Sequence, residues 1–306
     1  MGGIGAERQV SLDSGTCVAD ALERAGLSVV RADVTPDDLE VLNDSAIDVF
    51  FLALHGTFGE DGCIQEILEQ RGLCYTGSGP DACRLAFDKV ASKTVFKRIG
   101  ISTPAVLVVK RDEEPESLLQ RVQQLGSRWV VKPIRQGSSV GVHIVDELDQ
   151  VLTLCHEVVE AYQDCMIEPF VAGREITVAV VQGRALPVIE IRACQPFYDY
   201  QAKYVDETTD YLFETLAPAL EQEARTWAER GFTAFGLRDF ARVDFLVTDS
   251  DELVVLEFNT IPGMTTHSLV PKASARAGIE MPELCARIVT AAYQRRPSVS
   301  VSRIEC

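Results

Sequence analysis

The chain has 306 residues, 46% of them hydrophobic and 25% charged, and a formal net charge of -17 at pH 7. This composition describes a soluble protein of two or three compact units, and a surface so negative excludes nucleic acid and anionic membranes as partners. No apolar run approaches the ~20 residues that span a bilayer, and the N-terminal residues form no secretion signal.

In chain order, Ser11 reads as the N-cap of a helix. Its Val18, Ala21, Leu22 and Ala25 repeat at helical spacing, and Gly26 ends it. Strands are expected at Leu27–Val30 and Val49–Leu54, the second apolar almost throughout, as a buried parallel strand is. A helical pattern between Asp61 and Arg71, a short strand at Cys74–Thr76 and a Gly-Ser-Gly-Pro turn complete a parallel α/β domain over residues 1–87. A helix over Asp88–Ile99 opens an α+β unit, 88–178. It has strands at Ala105–Val109, Trp129–Lys132, Val142–Val145 and Met166–Val171 and a helix over Asp146–Tyr162. Strand-like runs at Ile176–Val181 and Leu186–Arg192 continue the α+β texture across the boundary to a third unit, 179–306, which holds a long aromatic loop from Pro196 to Phe213. A helix over Ala219–Ala234, two long strands (Asp239–Val247 and Leu253–Asn259) and two closing helices follow.

The two long strands hold the most informative chemistry. Polar and apolar residues alternate in Ala241-Arg242-Val243-Asp244-Phe245, so Arg242 and Asp244 share a face, and Glu257-Phe258-Asn259 repeats the pattern. Paired as an antiparallel hairpin, the strands bring Asp244, Glu257 and Asn259 into an all-oxygen cluster suited to a hard cation such as Mg²⁺. Taken singly, each residue is more often a solvated polar position on a half-buried sheet. The continuation, Asn259-Thr260-Ile261-Pro262-Gly263-Met264-Thr265-Thr266-His267-Ser268, favours metal–phosphate chemistry because a Pro-Gly turn offers backbone N–H groups.

Lys132 at a strand end precedes the small loop Gly137-Ser138-Ser139-Val140-Gly141, which suits a phosphate cover but lacks the P-loop spacing; alone it is a turn. The run Ile167-Glu168-Pro169-Phe170-Val171 could bond and sandwich a purine, or serve as an edge connection. Three tyrosines in Phe197–Tyr204 suggest a water-excluding cover. A lone histidine such as His55, at a strand end, is more often structural than catalytic. Nine cysteines without a CxxC pair, and four histidines, read as buried thiols in a reducing cytoplasm rather than a zinc site.

Together these motifs resemble the D-alanine–D-alanine ligases of the ATP-grasp superfamily. The resemblance runs nearly end to end, through Gly5-Ala6-Glu7-Arg8, Ala53-Leu54-His55-Gly56, Val131-Lys132-Pro133, Tyr198-Asp199-Tyr200 and the Glu257–Ser268 stretch. It implies an N-terminal preATP-grasp α/β domain followed by a two-part ATP-grasp domain. The implied reaction is ATP-dependent joining of two D-alanines through an acyl phosphate, for peptidoglycan precursor synthesis. Asp244, Glu257 and Asn259 would hold two Mg²⁺ (or Mn²⁺) ions. Lys89, Lys132 and Lys203 would contact the ATP phosphates, Glu168, Pro169, Phe170 and Val171 line the adenine pocket, and Glu175 reach the ribose. Glu7 would hold the first D-alanine's ammonium with His55 nearby, Ser138 and Tyr204 tie their loops to Glu7, Arg242 and the Gly263 N–H form an oxyanion site, and Ser268 bind the second D-alanine's carboxylate. The resemblance also implies a cytoplasmic homodimer.

There are two departures from the family pattern. Pro169 stands where many members have a polar hinge residue, and Met1 falls on a Gly-Gly turn that the family precedes with a strand, so the expectation is a chain starting a few residues upstream. The competing readings are a D-alanine–D-lactate ligase, against which the Tyr198–Tyr204 loop argues, and a non-catalytic nucleotide-binding relative.

Overall fold

The structure, a computed structural model, describes residues 1–5, 7–111, 113–192 and 209–296. Helix α1 (Arg8–Arg24) begins at Glu7 rather than Ser11. Ser11 lies inside the helix, fully buried, where its hydroxyl donates to the Ala53 carbonyl and accepts from the Gly2 N–H. The expected strands at Leu27–Val30 and Val49–Leu54 form no ladder. Parallel pairing there is limited to the isolated bridges Gly2–Val34 and Phe50–Tyr75. Leu27 and Val30 are 42% and 62% exposed, so the first run has no covered face to favour a strand. Residues 1–3 instead run beside 32–34: the Met1 carbonyl accepts from Val34 N–H, and its amino group donates to the Ala32 carbonyl.

Helices α2 (Cys63–Gln70), α3 (Pro80–Phe87) and α4 (Lys89–Arg98) follow. Asp88 separates the last two and caps α4, accepting from the Val90 and Ala91 N–H groups. Around α2 a small core gathers Leu52, Leu54, Ile64, Leu68 and Tyr75, and it also takes in Ile261 from the far end of the chain.

Strands β1 (Leu107–Val108), β2 (Trp129–Lys132), β3 (His143–Val145) and β4 (Met166–Pro169) form an antiparallel sheet in the order β1-β4-β2-β3. Helices α5 (Pro115–Gln123) and α6 (Leu148–Tyr162) pack on one face of it, burying Val122, Val131, Val151 and Val158.

The second sheet contains β5 (Arg174–Val181), β6 (Arg184–Ala185), β7 (Ile189–Arg192), β8 (Asp210–Leu212), β9 (Phe240–Val247) and β10 (Leu253–Asn259). Its order is β10-β9-β5-β7-β8, with β6 on β5. Strand β8 lies inside what the sequence presents as continuous loop. Alternation along β5 sends Ile176, Val178 and Val180 to a core shared with α3, α4 and α7 (Pro218–Ala234). It sends Ala179 and Val181 to another, shared with α1, α8 (Leu269–Arg276) and α9 (Met281–Gln294). Because Arg242 and Asp244 alternate with the buried Ala241 and Val243, they face the α1 and α8 side, where the site lies. Among the described residues no helix is long and apolar enough to cross a membrane.

Candidate active site

The expected hairpin forms. Strands β9 and β10 pair antiparallel with Asp244 opposite Glu257 and Arg242 opposite Asn259, and a bulge lies between Val255 and Glu257. On this frame Arg242 grips Asp244 through Nε to Oδ1 at 2.9 Å and Nη2 to Oδ2 at 2.8 Å. The Thr177 hydroxyl adds a bond to Asp244 Oδ1 at 2.6 Å. Two cavities meet at Arg242, which lines both. The larger, about 310 Å³, is bounded by Val10 and Cys17 of α1, Glu175, Asp244, Gly263 and Ser268. The smaller, about 30 Å³, is bounded by Glu7, Glu60, Lys89, Ser138, Glu257 and Asn259.

Glu257 and Asn259 share the smaller cavity, whereas Asp244 opens on the larger one, with both its oxygens bonded to Arg242. Glu257 is ion-paired to Lys89 at 3.0 Å, and Lys89 also donates to the Gln136 carbonyl, so helix α4 is tied to the Gly-Ser loop. The Asn259 Oδ1 is buried and has no hydrogen-bond partner among the described residues. A buried amide oxygen without a donor is costly unless something positive meets it. The all-oxygen donors around it suit a hard divalent cation.

Ser138 and Ser139 both adopt left-handed backbone, φ 50° and 59°, which is strained for residues with a side chain. That geometry points the Ser138 hydroxyl at Glu7, to whose Oε1 it donates. Glu7 is 7% exposed. A Cβ at Gly56 or Gly137 would meet Glu7 Oε2 at 2.8 and 3.1 Å, so glycine at both positions leaves room for this carboxylate.

Glu60, which the sequence reading passed over, lies beside Glu7. It is buried and accepts from the Gly56 N–H at 2.8 Å and the Ile261 N–H at 3.3 Å. Burial, and then the nearby Glu7 charge, push its carboxyl well above the usual range. The signal available in sequence was only its place five residues after His55, between Gly59 and Gly62. Folded protein thus binds a proton here that unfolded chain releases, so stability falls as pH rises from the ordinary carboxylate range towards Glu60's raised pKa. Glu60→Gln is expected to flatten that decline in urea unfolding followed from about pH 5 to about pH 8.

His55 is 3% exposed, and both its nitrogens are used inside the protein, Nδ1 on the Ile261 carbonyl at 2.7 Å and Nε2 on Ser14 Oγ at 3.2 Å. Burial holds its pKa down to about 4, against the opposing pull of the Ile261 carbonyl. Both ring nitrogens are therefore occupied by protein partners, one on the Gly263 turn and one on α1. Ser268 sits at the N-cap of α8 and accepts from the Thr265 N–H at 3.0 Å. A Cβ on Gly263 would come within 2.7 Å of Ser268 Oγ, so only glycine permits that approach.

In the smaller sheet, Glu168 is 3% exposed and stands between two ammonium groups, Lys132 at 2.7 Å and Lys93 at 2.6 Å, the latter off the hydrogen-bond direction. Lys93 also donates to Thr103 Oγ1 and the Pro104 carbonyl, both at 2.9 Å. Burial raises the Glu168 pKa, but the two lysines more than offset it and hold the carboxyl below its usual range. Lys132, expected on phosphate, is thus tied to Glu168. Pro169 ends β4 and Phe170 and Val171 follow it, all half-buried, with the Phe170 N–H on the Arg128 carbonyl at 2.8 Å and the Arg128 guanidinium over its ring. Lys203 and Tyr204 lie outside the described residues.

Two antiparallel sheets flanked by helices, with two cavities that meet at the fixed Arg242, define a mixed α/β fold, and solved structures share it. The D-alanine–D-alanine ligase of Bacillus anthracis complexed with ATP superposes with a TM-score of 0.83 at 34% identity, covering 97% of this chain and 96% of that one. Residues 95–290 match the family described as the D-ala D-ala ligase C-terminus, and 37–78 the D-ala D-ala ligase N-terminus. Proteins named D-alanine–D-alanine ligase from Citrifermentans bemidjiense and Syntrophotalea carbinolica are 42% and 41% identical, over 95% and 97% of this chain and 94% and 95% of their own. The chain belongs to the D-alanine–D-alanine ligase family.

Proposed function

We infer that this chain uses ATP to join two D-alanines into D-alanyl-D-alanine for peptidoglycan precursor synthesis. The observation that supports the reading best is the placement of Arg242 at the junction of two compartments. One compartment offers Lys89, Glu257 and Asn259 to a phosphate end, and the other offers Gly263 and Ser268 to an amino acid.

ATP phosphorylates the first D-alanine's carboxylate, and the second D-alanine's amine then attacks the acyl phosphate and displaces phosphate through a tetrahedral oxyanion. Positioning and charge neutralisation dominate such a transfer. Glu7, held by Ser138, orients the first D-alanine through its ammonium, and Tyr204 closes that contact from its loop. Lys89, Lys132 and Lys203 hold the phosphates, Glu168 to Val171 seat the adenine, and Glu175 takes the ribose. Arg242 and the Gly263 N–H face the developing oxyanion. Ser268 and the N-terminus of α8 receive the second carboxylate, since free N–H groups at a helix start favour an anion. Asp244, Glu257 and Asn259 would hold Mg²⁺ (or Mn²⁺), which supplies neutralisation of phosphate charge; Asp244 would share its oxygens with Arg242.

We divide the chain into an N-terminal unit to residue 87 and two ATP-grasp parts. The division between those parts is best set before Arg174, because the whole of β5 pairs in the larger sheet. A homodimer in the cytoplasm completes the proposal. Product analysis with ATP, Mg²⁺, D-alanine and D-lactate together is expected to give dipeptide in excess. Depsipeptide as the main product would assign the chain to the D-lactate-using relatives instead.

A further inference from the structure

The turn that carries Gly263 leaves strand β10 and has no sheet partner. It is held by side chains from the other end of the molecule, each of them buried: Ser14 0%, His55 3% and Glu60 6% exposed. At one end of the turn the Ile261 N–H donates to Glu60 at 3.3 Å, and its carbonyl accepts from His55 Nδ1 at 2.7 Å. At the other end the Met264 N–H donates to Ser14 Oγ at 3.1 Å, and Ser14 meets His55 Nε2 at 3.2 Å.

The direction of every bond follows by elimination. A carbonyl only accepts, so the proton of His55 is on Nδ1 and its Nε2 accepts. A backbone N–H only donates, so Ser14 accepts from Met264 and spends its single hydrogen on Nε2. Serine inside a helix ordinarily bonds back to its own helix, as Thr16 does here to the Leu12 carbonyl at 2.8 Å. Ser14 instead bonds across to a residue 250 positions away.

We propose that Ser14 is a positioning residue for the ligation: its hydroxyl joins Met264 to His55, clamps both ends of the Ile261–Met264 turn as one unit, and so fixes the Gly263 peptide in the larger cavity. This inference rests on the proposed role of the Gly263 N–H. Removing the hydroxyl leaves a buried N–H and a buried imidazole nitrogen without partners, in a place that water does not reach. The turn then samples positions in which the Gly263 N–H no longer meets the oxyanion, while the distant nucleotide contacts keep their geometry.

The test uses Ser14→Ala and Ser14→Cys in the full chain. For Ser14→Ala, amide hydrogen exchange at Met264 is expected to quicken about tenfold or more, because one buried hydrogen bond is lost. The kcat for dipeptide should fall about tenfold or more with an unchanged KM for ATP. Ser14→Cys, a weaker donor of similar size, should fall between the two, and it carries the test if the alanine variant does not fold. Wild-type exchange and wild-type kcat in a folded variant would overturn the proposal. Faster exchange with unchanged kcat would overturn it as well, since the clamp would then be structural alone. If the wild-type protein makes no dipeptide, the reading of the site fails, and Met264 exchange still decides whether Ser14 holds the turn.

Discussion

Replacing Arg242 by alanine is expected to lower kcat by about 10²–10³-fold while ATP binds as before. The guanidinium is bound on one side by both oxygens of Asp244 and lines both cavities, so it is already oriented before substrate arrives. A fixed cation of this kind gains most where negative charge develops, and so acts on the transition state rather than on ground-state binding. Its removal also leaves Asp244, 5% exposed, with only the Thr177 hydroxyl as a described side-chain partner. A stability loss of about 1–3 kcal/mol should accompany the rate effect. Arg242→Lys keeps the charge but not the two-bond fork, and should recover only part of the rate. Single-turnover kinetics beside a nucleotide-binding titration separate the two effects; near-normal turnover in Arg242→Ala would refute the assignment.

The second large effect is expected at Glu168. Glu168→Gln leaves Lys93 and Lys132 facing each other across a neutral amide, and uncompensated buried charge of this kind costs about 3–5 kcal/mol. Urea unfolding measures it. The pH dependence gives a further check. Burial already lowers the Lys93 pKa to about 8, against the raising effect of Glu168, so removing that carboxylate lowers it further. A lysine whose folded pKa lies below its unfolded value binds fewer protons in the folded state, so stability rises as pH climbs between the two. The destabilisation of Glu168→Gln should therefore shrink as the pH is raised, and a loss independent of pH would contradict the buried triad. The KM for ATP should rise in the same variant, because Glu168 and its partner Lys132 are both assigned to the nucleotide.

These assignments were not equally legible in the sequence. The hairpin of β9 and β10 was, because period-two alternation survives wherever one face is buried, and it delivered Arg242, Asp244, Glu257 and Asn259 in register. Helix α3 was hidden by the turn before it, although Pro80 at its first position is an ordinary start signal. The N-terminal strands were over-read, because apolar runs at Leu27 and Val49 say nothing about whether a neighbour will pair with them. The least legible residues were Ser14, Glu60 and Lys93. Each has an unremarkable local pattern, and its role comes from partners or charge supplied elsewhere in the fold, such as Met264, Ile261 and Glu168. Lys93 is set against Glu168, at 2% exposure, only by the way α4 packs in the fold.

The central claim is tested most directly by phosphate release from ATP in the presence of Mg²⁺, with D-alanine or L-alanine as the only amino acid. Release that requires D-alanine and is silent with L-alanine is the predicted result. ATP that binds tightly while D-alanine never triggers release would contradict the account and leave a nucleotide-binding relative without turnover.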